Sequence, residues 1–465
     1  MQFASFTFLF VFLPVFLIAY AVAPARARNP VLLGFSWLFY GWWRPEYLVL
    51  LVTNTLFAWW VAERIHGASG AARKQWLRLA VAGCLTPLLW FKYANLLAAT
   101  FNDLLAWRGH PVLPWEVILL PIGISFFTFQ SISYVVDVYR RDVAPAPSFV
   151  AFATYLAMFS QLIAGPIVRY TSVAPDISRR PFTLEGFAAG SRRFMFGLAM
   201  KVLVADSLAP VADAALGLAQ PTFWDAWIGT LAFALQLLFD FAGYSAMAIG
   251  LGRMIGFHFP ENFEHPYLAG SIRAFWRRWH TSLSTWLRDY LYIPLGGNRH
   301  GSGRTYLALI LTLALGGLWH GANWTFLAWG LLHGTALSLQ RFWHQQALPK
   351  PPWLVGHLFT LLLVGWGWAL FRSPDLSTAA RHLGALFDLA GAGDSDSVLL
   401  WNWRPQYSAA FAAGLALVYL PALPGLKDWG RRDGWSQNLA APVLGLWSVA
   451  LIADRTATPF LYFQF

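Results

Sequence analysis

The chain has one cysteine, Cys84, so it can form no intramolecular disulfide and no cysteine-based zinc site. Charge is scarce as well. Asp, Glu, Lys and Arg make up 12% of 465 residues, about half of what a soluble domain carries. That leaves too few charges to cover a water-facing surface. The eleven histidines include no H-E-x-x-H spacing, and there is no P-loop and no glycine-rich dinucleotide fingerprint. A G-x-S-x-G nucleophile elbow is also missing, which excludes the commonest serine-hydrolase signature. No repeat of 20–50 residues and no heptad pattern is present, which removes solenoids and coiled coils.

What remains is apolar. Hydrophobic residues are 57% of the chain, with 26 Trp and 38 Phe, and the mean hydropathy is +0.49. Length alone would allow two or three soluble domains; composition indicates a polytopic membrane protein instead. A net charge of +11 would point to nucleic acid in a soluble protein. Here Arg26/Arg28, Arg64/Arg73/Lys74/Arg78 and Arg140/Arg141 fall in short loops between apolar runs, the positive-inside pattern. The expected partner is therefore the lipid bilayer, with no nucleic acid.

Apolar runs near 4–24, 30–62 (interrupted at "WWRPEY"), 76–100, 115–138, 148–166, 186–218, 224–256, 305–320, 324–340, 353–371, 407–424 and 437–453 predict an all-α fold. At about 20 residues per span they give roughly ten to twelve transmembrane or re-entrant helices. The segment 388–404 is the expected long surface loop, and residues 1–465 are expected to form a single integral-membrane domain. "AVAPARA" at 21–27 resembles a cleavage site, but Arg26 and Arg28 follow the first apolar run and none precedes it. That order favours a retained first helix with its N-terminus outside.

Polar residues inside apolar runs are costly and hence candidates for function. Between Thr305 and Gln340 there is no Asp, Glu, Lys or Arg, yet His320, Asn323 and His333 lie there, with Trp319 beside His320. A straight helix of 36 residues would be about 54 Å long, against a hydrocarbon core of about 30 Å. A break is predicted near "HGAN", where Gly321 permits a turn. Two readings stay open: a polar reaction chamber with His320 as base, or a plain extramembrane loop. His333, 13 residues on, joins the site only if the chain breaks between the two.

Residues 273–291, "RAFWRRWHTSLSTWLRDYL", place Trp276, Trp279, His280, Leu283 and Leu287 on one side and Arg273, Arg277, Thr281, Ser284 and Arg288 on the other. This predicts an amphipathic helix with a basic face, suited to an anionic lipid surface. Gln236, Asp240 and Tyr244 share a face at i, i+4, i+8. Asp240 lies in an apolar run and needs a buried cationic partner; proton transfer is its other reading. Gly165-Pro166 is expected to break a helix, and the hydroxyls and amides of 121–141 are expected to bond neighbouring helices.

A buried neutral histidine suits general-base work, for instance on a hydroxyl that attacks an acyl carbonyl. A second His or an Asn would orient the substrate or stabilise the oxyanion. Broken helices with Asp and His also fit a proton-coupled carrier. A carrier should show two related halves, and this chain has no such internal correspondence.

The stretches "NPVLLGFSWLFYGWWRPEYL", "LLPIGISFFTFQSISYVVDVYR", "FDFAGYSAMAIGLG", "ENFEHPYLAGSIRAFWRRWHTSLSTWLRDYLYIPLGGNR", "GLWHGANWTFLAWGLLHG" and the terminal "FLYFQF" resemble the membrane-bound O-acyltransferase (MBOAT) family, in its bacterial alginate O-acetylation branch. The resemblance runs from near residue 30 to the end. It implies helices around a buried catalytic chamber, with His320 matching the catalytic histidine and His280 the second histidine of the site. Asn323, Asp240, Arg277, Arg288, Tyr244 and Trp319 are the expected substrate-binding residues, and no metal is expected. Acetyl-CoA is the implied cytoplasmic acyl donor, a substrate, with no bound cofactor. A periplasmic acetyltransferase partner protein is implied, with an exopolysaccharide as final acceptor. The implied location is the bacterial inner membrane, multi-pass, with a periplasmic N-terminus. One departure stands out: Ala242 and Ala246 replace the Ser and Asp of the alginate-type pattern, and "DFAGYS" is similar to the teichoic acid D-alanyl transfer branch.

Overall fold

A computed structural model gives the fold. It describes residues 1–388, 403–423, 426–427, 429–454 and 460–461. Among the described residues every regular element is a helix, as the composition predicts. The chain clusters into two compact units: residues 1–191 with 248–260, and residues 192–247 with 261–465. Apart from its ends, the loop expected at 388–404 lies outside the described residues.

Six helical stretches among the described residues are long and apolar enough to cross a membrane by length and composition: Pro45–Gly67, Gly70–Trp107, Leu184–Gly217, Phe223–Met254, Trp353–Arg372 and Trp435–Asp454. The ten to twelve expected also counted re-entrant and shorter helices, and several of the apolar runs are interrupted. The 115–138 run loses its first part, since Pro111, Pro114 and Pro121 leave 110–121 without a helix. The 148–166 run becomes two short helices that end before Gly165-Pro166. On the last helix Trp435, Leu439, Val443, Leu446 and Trp447 are exposed, an apolar face suited to hydrocarbon rather than water.

In the first unit, α1 (Leu13–Val22) and α2 (Arg28–Gly41) precede α3 (Pro45–Gly67); the break at "WWRPEY" falls before Pro45, as predicted. The long α4 (Gly70–Trp107) is followed by α5 (Ile124–Arg140), α6 (Phe149–Ala157), α7 (Phe159–Leu162) and α8 (Tyr170–Ser178). Asn54 Nδ2 donates to Ser131 Oγ at 2.9 Å, joining α3 to α5. The Tyr155 hydroxyl donates to the Val168 carbonyl at 2.9 Å, which Gln130 Nε2 also reaches at 3.4 Å. These polar groups bond one part of the unit to another.

The second unit takes part of α9 (Leu184–Ala199) and α11 (Phe223–Met254), with α10 (Asp206–Gly217) between them. A π-helical stretch, Met200–Ala205, leads into α10. Two short helices follow, α12 (Ile272–Trp276) and α13 (Thr281–Leu287), then α14 (Ser302–His320), α15 (Trp324–Gln345), α16 (Trp353–Arg372), α17 (Leu376–Ala385), α18 (Pro405–Tyr419) and α19 (Trp435–Asp454).

The predicted break at "HGAN" is present: α14 ends at His320 and α15 starts at Trp324. The two helices run antiparallel with backbones almost in contact. A Cβ on Gly330 would lie 2.3 Å from the Leu313 carbonyl oxygen, and one on Gly317 2.1 Å from that of Phe326. Gly330→Ala is therefore expected to force the helices apart and lower stability by roughly 1–3 kcal/mol. Thermal unfolding in detergent, beside Gly303→Ala, where nothing lies within 4 Å, checks this. Equal melting temperatures would mean the close approach is not needed.

Candidate active site

The expected single amphipathic helix over 273–291 is broken, which corrects the sequence reading. After Trp276 the chain turns, and His280 takes a left-handed conformation (φ 43°, ψ 55°) before α13 begins. Local bonds hold this uncommon geometry. Thr281 N–H donates to the Asn262 carbonyl (3.0 Å) and Glu264 N–H to that of Arg278 (3.0 Å); the Thr281 hydroxyl donates to the Glu261 carbonyl (2.6 Å). Glu261 is itself paired with Arg193 (2.7 Å) and Arg431 (3.2 Å).

The turn aims His280 inward, fully buried. Asn262 Oδ1 accepts from Ser282 N–H (3.3 Å) and the Ser282 hydroxyl (2.9 Å) and lies 3.1 Å from His280 Nδ1. A backbone N–H can only donate, so the Asn262 atom at this point is oxygen, and Nδ1 carries the proton. The lone pair of His280 is therefore on Nε2. Asn262 Nδ2 donates to Ser245 Oγ on α11 at 3.1 Å, which fixes the amide from the other side.

His320 is the last residue of α14 and is also buried. Its ring makes edge contacts with Trp329 (5.1 Å between centroids), Phe371 (5.3 Å) and Trp319 (5.0 Å). Trp319 lies 6.4 Å from His280 as well. Both imidazoles are thus neighbours of one indole, and α14 and the 262–282 segment bring together His280, Trp319 and His320.

Asp240 and Tyr244, on α11, are buried close to this cluster. Lys201 supplies the cation that Asp240 needs, with Nζ 3.3 Å from its Oδ1, and Lys201 also bonds Asp206. The other Asp240 oxygen accepts the backbone N–H of Leu461 at 2.8 Å. That anchors Leu461 inside the unit. Phe460 packs on Tyr244 (4.6 Å) and Phe241 (5.7 Å), and Phe241 meets His280 edge-on at 4.7 Å.

The remaining candidates lie elsewhere. Asn323 caps α15, accepting from Thr325 N–H at 3.2 Å, while its Nδ2 donates to the Pro374 carbonyl at 2.7 Å. Arg277 and Arg288 are exposed, Arg288 in a two-bond pair with Asp289. Sequence reasoning missed Asn262 and Lys201. The available signal for Lys201 was a lone cation in the apolar run "FGLAMKVLVA". Asn262 lies in the "ENFEHPYLAG" stretch that carries the resemblance, but nothing local singles it out, 18 positions from His280.

His280 lies outside the spanning helices, and burial holds its pKa well below the ordinary 6.5. The unfolded chain therefore binds a proton that the folded chain refuses. Stability is undiminished above 6.5 and falls as pH drops below it toward the folded pKa. The melting temperature is expected to drop between pH 7 and pH 5, and to drop less in His280→Asn, whose side chain tolerates a left-handed backbone. The same pH slope in both proteins would assign the effect to other groups.

Among the described residues no group of three His, Cys, Asp or Glu could hold a metal ion. Residues 85–371 match the membrane-bound O-acyltransferase family. The chain is 44% identical, over all of both chains, to a probable alginate O-acetylase, AlgI, of Azotobacter vinelandii. It is 37% identical to a peptidoglycan O-acetyltransferase of Helicobacter pylori, over 83% of this chain and 79% of that one. It is 25% identical to a teichoic acid D-alanyltransferase of Bacillus subtilis, over 43% and 52%. The chain belongs to the membrane-bound O-acyltransferase family and is a multi-pass membrane O-acyltransferase.

Proposed function

We propose that the whole chain, 1–465, acts as one O-acetyltransferase domain of the bacterial inner membrane, its N-terminus periplasmic. It takes acetyl from cytoplasmic acetyl-CoA and passes it across the membrane toward an exopolysaccharide, alginate-like, through a periplasmic acetyltransferase partner. The observation that carries this is the pair of buried imidazoles on Trp319, with His320 at a helix break and His280 fixed as a neutral ring. Full-length similarity to a probable alginate O-acetylase supports the acetyl group and the polysaccharide. His320 takes the proton of the attacking hydroxyl. The hydroxyl oxygen bonds to the thioester carbonyl carbon, the C–S bond breaks, and the CoA thiolate leaves and receives the proton from His320. His280 Nε2 is the second lone-pair nitrogen beside Trp319 and accepts from a second donor of the acceptor molecule, not from the hydroxyl that attacks. No bound cofactor enters the step.

Ala242 and Ala246 leave D-alanyl or another acyl transfer to an envelope polymer as a second reading, favoured by the similarity to a teichoic acid D-alanyltransferase. The test is free CoA release from acetyl-CoA by the purified protein with a candidate periplasmic partner. Partner-dependent release is expected. No release with any acceptor, together with proton-linked uptake into vesicles, would replace this reading with a carrier.

Exposed Arg277 and Arg288 attract the donor's phosphates. Arg277→Ala/Arg288→Ala is expected to raise KM for acetyl-CoA several-fold with kcat little changed. An unchanged KM would remove both residues from donor capture.

A further inference from the structure

From Tyr290 to Pro374 the chain carries no Asp and no Glu, yet it carries Arg299, Arg304, Arg341 and Lys350. The fold gathers these cations at one end of the α14–α15 pair. The two helices run antiparallel, and Gln345, the last residue of α15, donates to the hydroxyl of Ser302, the first of α14, at 3.4 Å. Arg304 is exposed there and forms no hydrogen bond or ion pair among the described residues.

A cavity of about 430 Å³ opens at this end, between the start of α14 and the loop before it. That volume lies in the range of small-molecule sites, about 300–1,000 Å³. Its walls divide by chemistry. Arg304 and His300 form the polar side, Leu295, Leu307 and Leu311 the apolar side, and no acid lines it. The His300 ring rests on Gly296, where a Cβ would lie 3.0 Å from its Cδ2, which holds the ring at the wall. The apolar side continues past the cavity. Leu307, Leu311 and Leu315 are exposed and share a face of α14 with Arg304. From Arg304 to Leu315 is about 16 Å along the helix axis, half of a hydrocarbon core of about 30 Å.

We propose that this groove binds one anionic phospholipid, its phosphate on Arg304 and His300 and one acyl chain along Leu307, Leu311 and Leu315. Basic pockets beside membrane helices hold anionic headgroups. The guanidinium of Arg304 offers a phosphate two parallel N–H bonds, and His300 adds a donor. Charge complementarity selects the anionic lipid: a zwitterionic headgroup would bring its own cation to an end of the fold that is already basic. A free phosphate would use the arginine and ignore the leucines, whereas a lipid uses both walls. This binding does not depend on the acyl-transfer chemistry.

The experiment titrates the purified full chain in detergent with phosphatidylglycerol, phosphatidylethanolamine and glycerol 3-phosphate, counting bound ligand by native mass spectrometry. The wild type is compared with Arg304→Gln, Leu311→Trp and Arg299→Gln. Arg299 is exposed on the same loop but does not line the cavity, so it reports charge without the site. One phosphatidylglycerol is expected per chain, bound at least fivefold tighter than phosphatidylethanolamine, with no glycerol 3-phosphate at the same concentration. Arg304→Gln and Leu311→Trp are each expected to weaken phosphatidylglycerol at least fivefold, and Arg299→Gln less than twofold. All three side chains are exposed, so melting temperatures are expected to match the wild type. Equal losses in Arg299→Gln and Arg304→Gln would reduce the site to diffuse charge and overturn it. An unaffected Leu311→Trp, or glycerol 3-phosphate bound as tightly as the lipid, overturns it as well. So does a raised KM for acetyl-CoA in Arg304→Gln with lipid affinity unchanged, which would give the arginine to the donor. Lipid loss that only follows a lower melting temperature in both groove variants also overturns it.

Discussion

His320→Ala is expected to abolish acetyl transfer, lowering kcat by about 10²–10⁴, the usual contribution of a positioned general base. The effect is large because no other group at this position can take its place. His320 ends α14 in a ring of three aromatic side chains, and Asn323, the nearest polar residue in the turn, is occupied in capping α15. The same ring gives the variant a packing cost, since a buried imidazole is removed from among Trp319, Trp329 and Phe371. His320→Gln fills more of that space and is the better test of chemistry apart from stability. Both variants are to be measured as CoA release with the partner protein, beside their melting temperatures. Loss of turnover in a His320→Gln protein that melts like the wild type assigns the base. Full turnover in either variant removes His320 from the mechanism.

Lys201→Met is expected to destabilise the second unit by about 3–5 kcal/mol, the cost of breaking a buried ion pair by deleting one partner. Lys201 lies between Asp206 and Asp240, so its loss leaves two carboxylates facing each other without a cation. Asp240 also holds the Leu461 N–H. Disturbing it is expected to release Phe460 from Tyr244 and Phe241. Lys201→Met/Asp240→Leu removes both buried charges and is expected to recover much of the stability without the activity. Chemical denaturation in detergent reads the first effect, and CoA release the second. A single variant as stable as the wild type would show that water reaches the pair.

Much of the candidate site is legible in the sequence alone. Deep polar residues are expensive, so "GGLWHGANW" and the histidine in "FWRRWH" were conspicuous in an apolar sequence. The need of Asp240 for a cation followed from the same energetics. Helix period misled at 273–291: the apolar row was right, since Trp279, His280, Leu283 and Leu287 are all buried. The continuous helix was not, because bonds from the 261–264 segment turn the chain at His280. Asn323 stood out by position in the chain and proved to be a cap.

The sequence by itself determined the membrane class, the helical architecture and the breaks at Pro45, Gly165-Pro166 and Gly321. Each follows from hydrophobicity or backbone stereochemistry within a few residues. Only the tertiary structure decided which polar groups meet. Asn262 sets the tautomer of His280 from 18 positions away, and Leu461 binds Asp240 across 221. Gly367, on another helix, lets the His333 ring pack closely against its backbone. No local period relates such residues. Helix packing brings them together, and burial then makes their pairing energetically important.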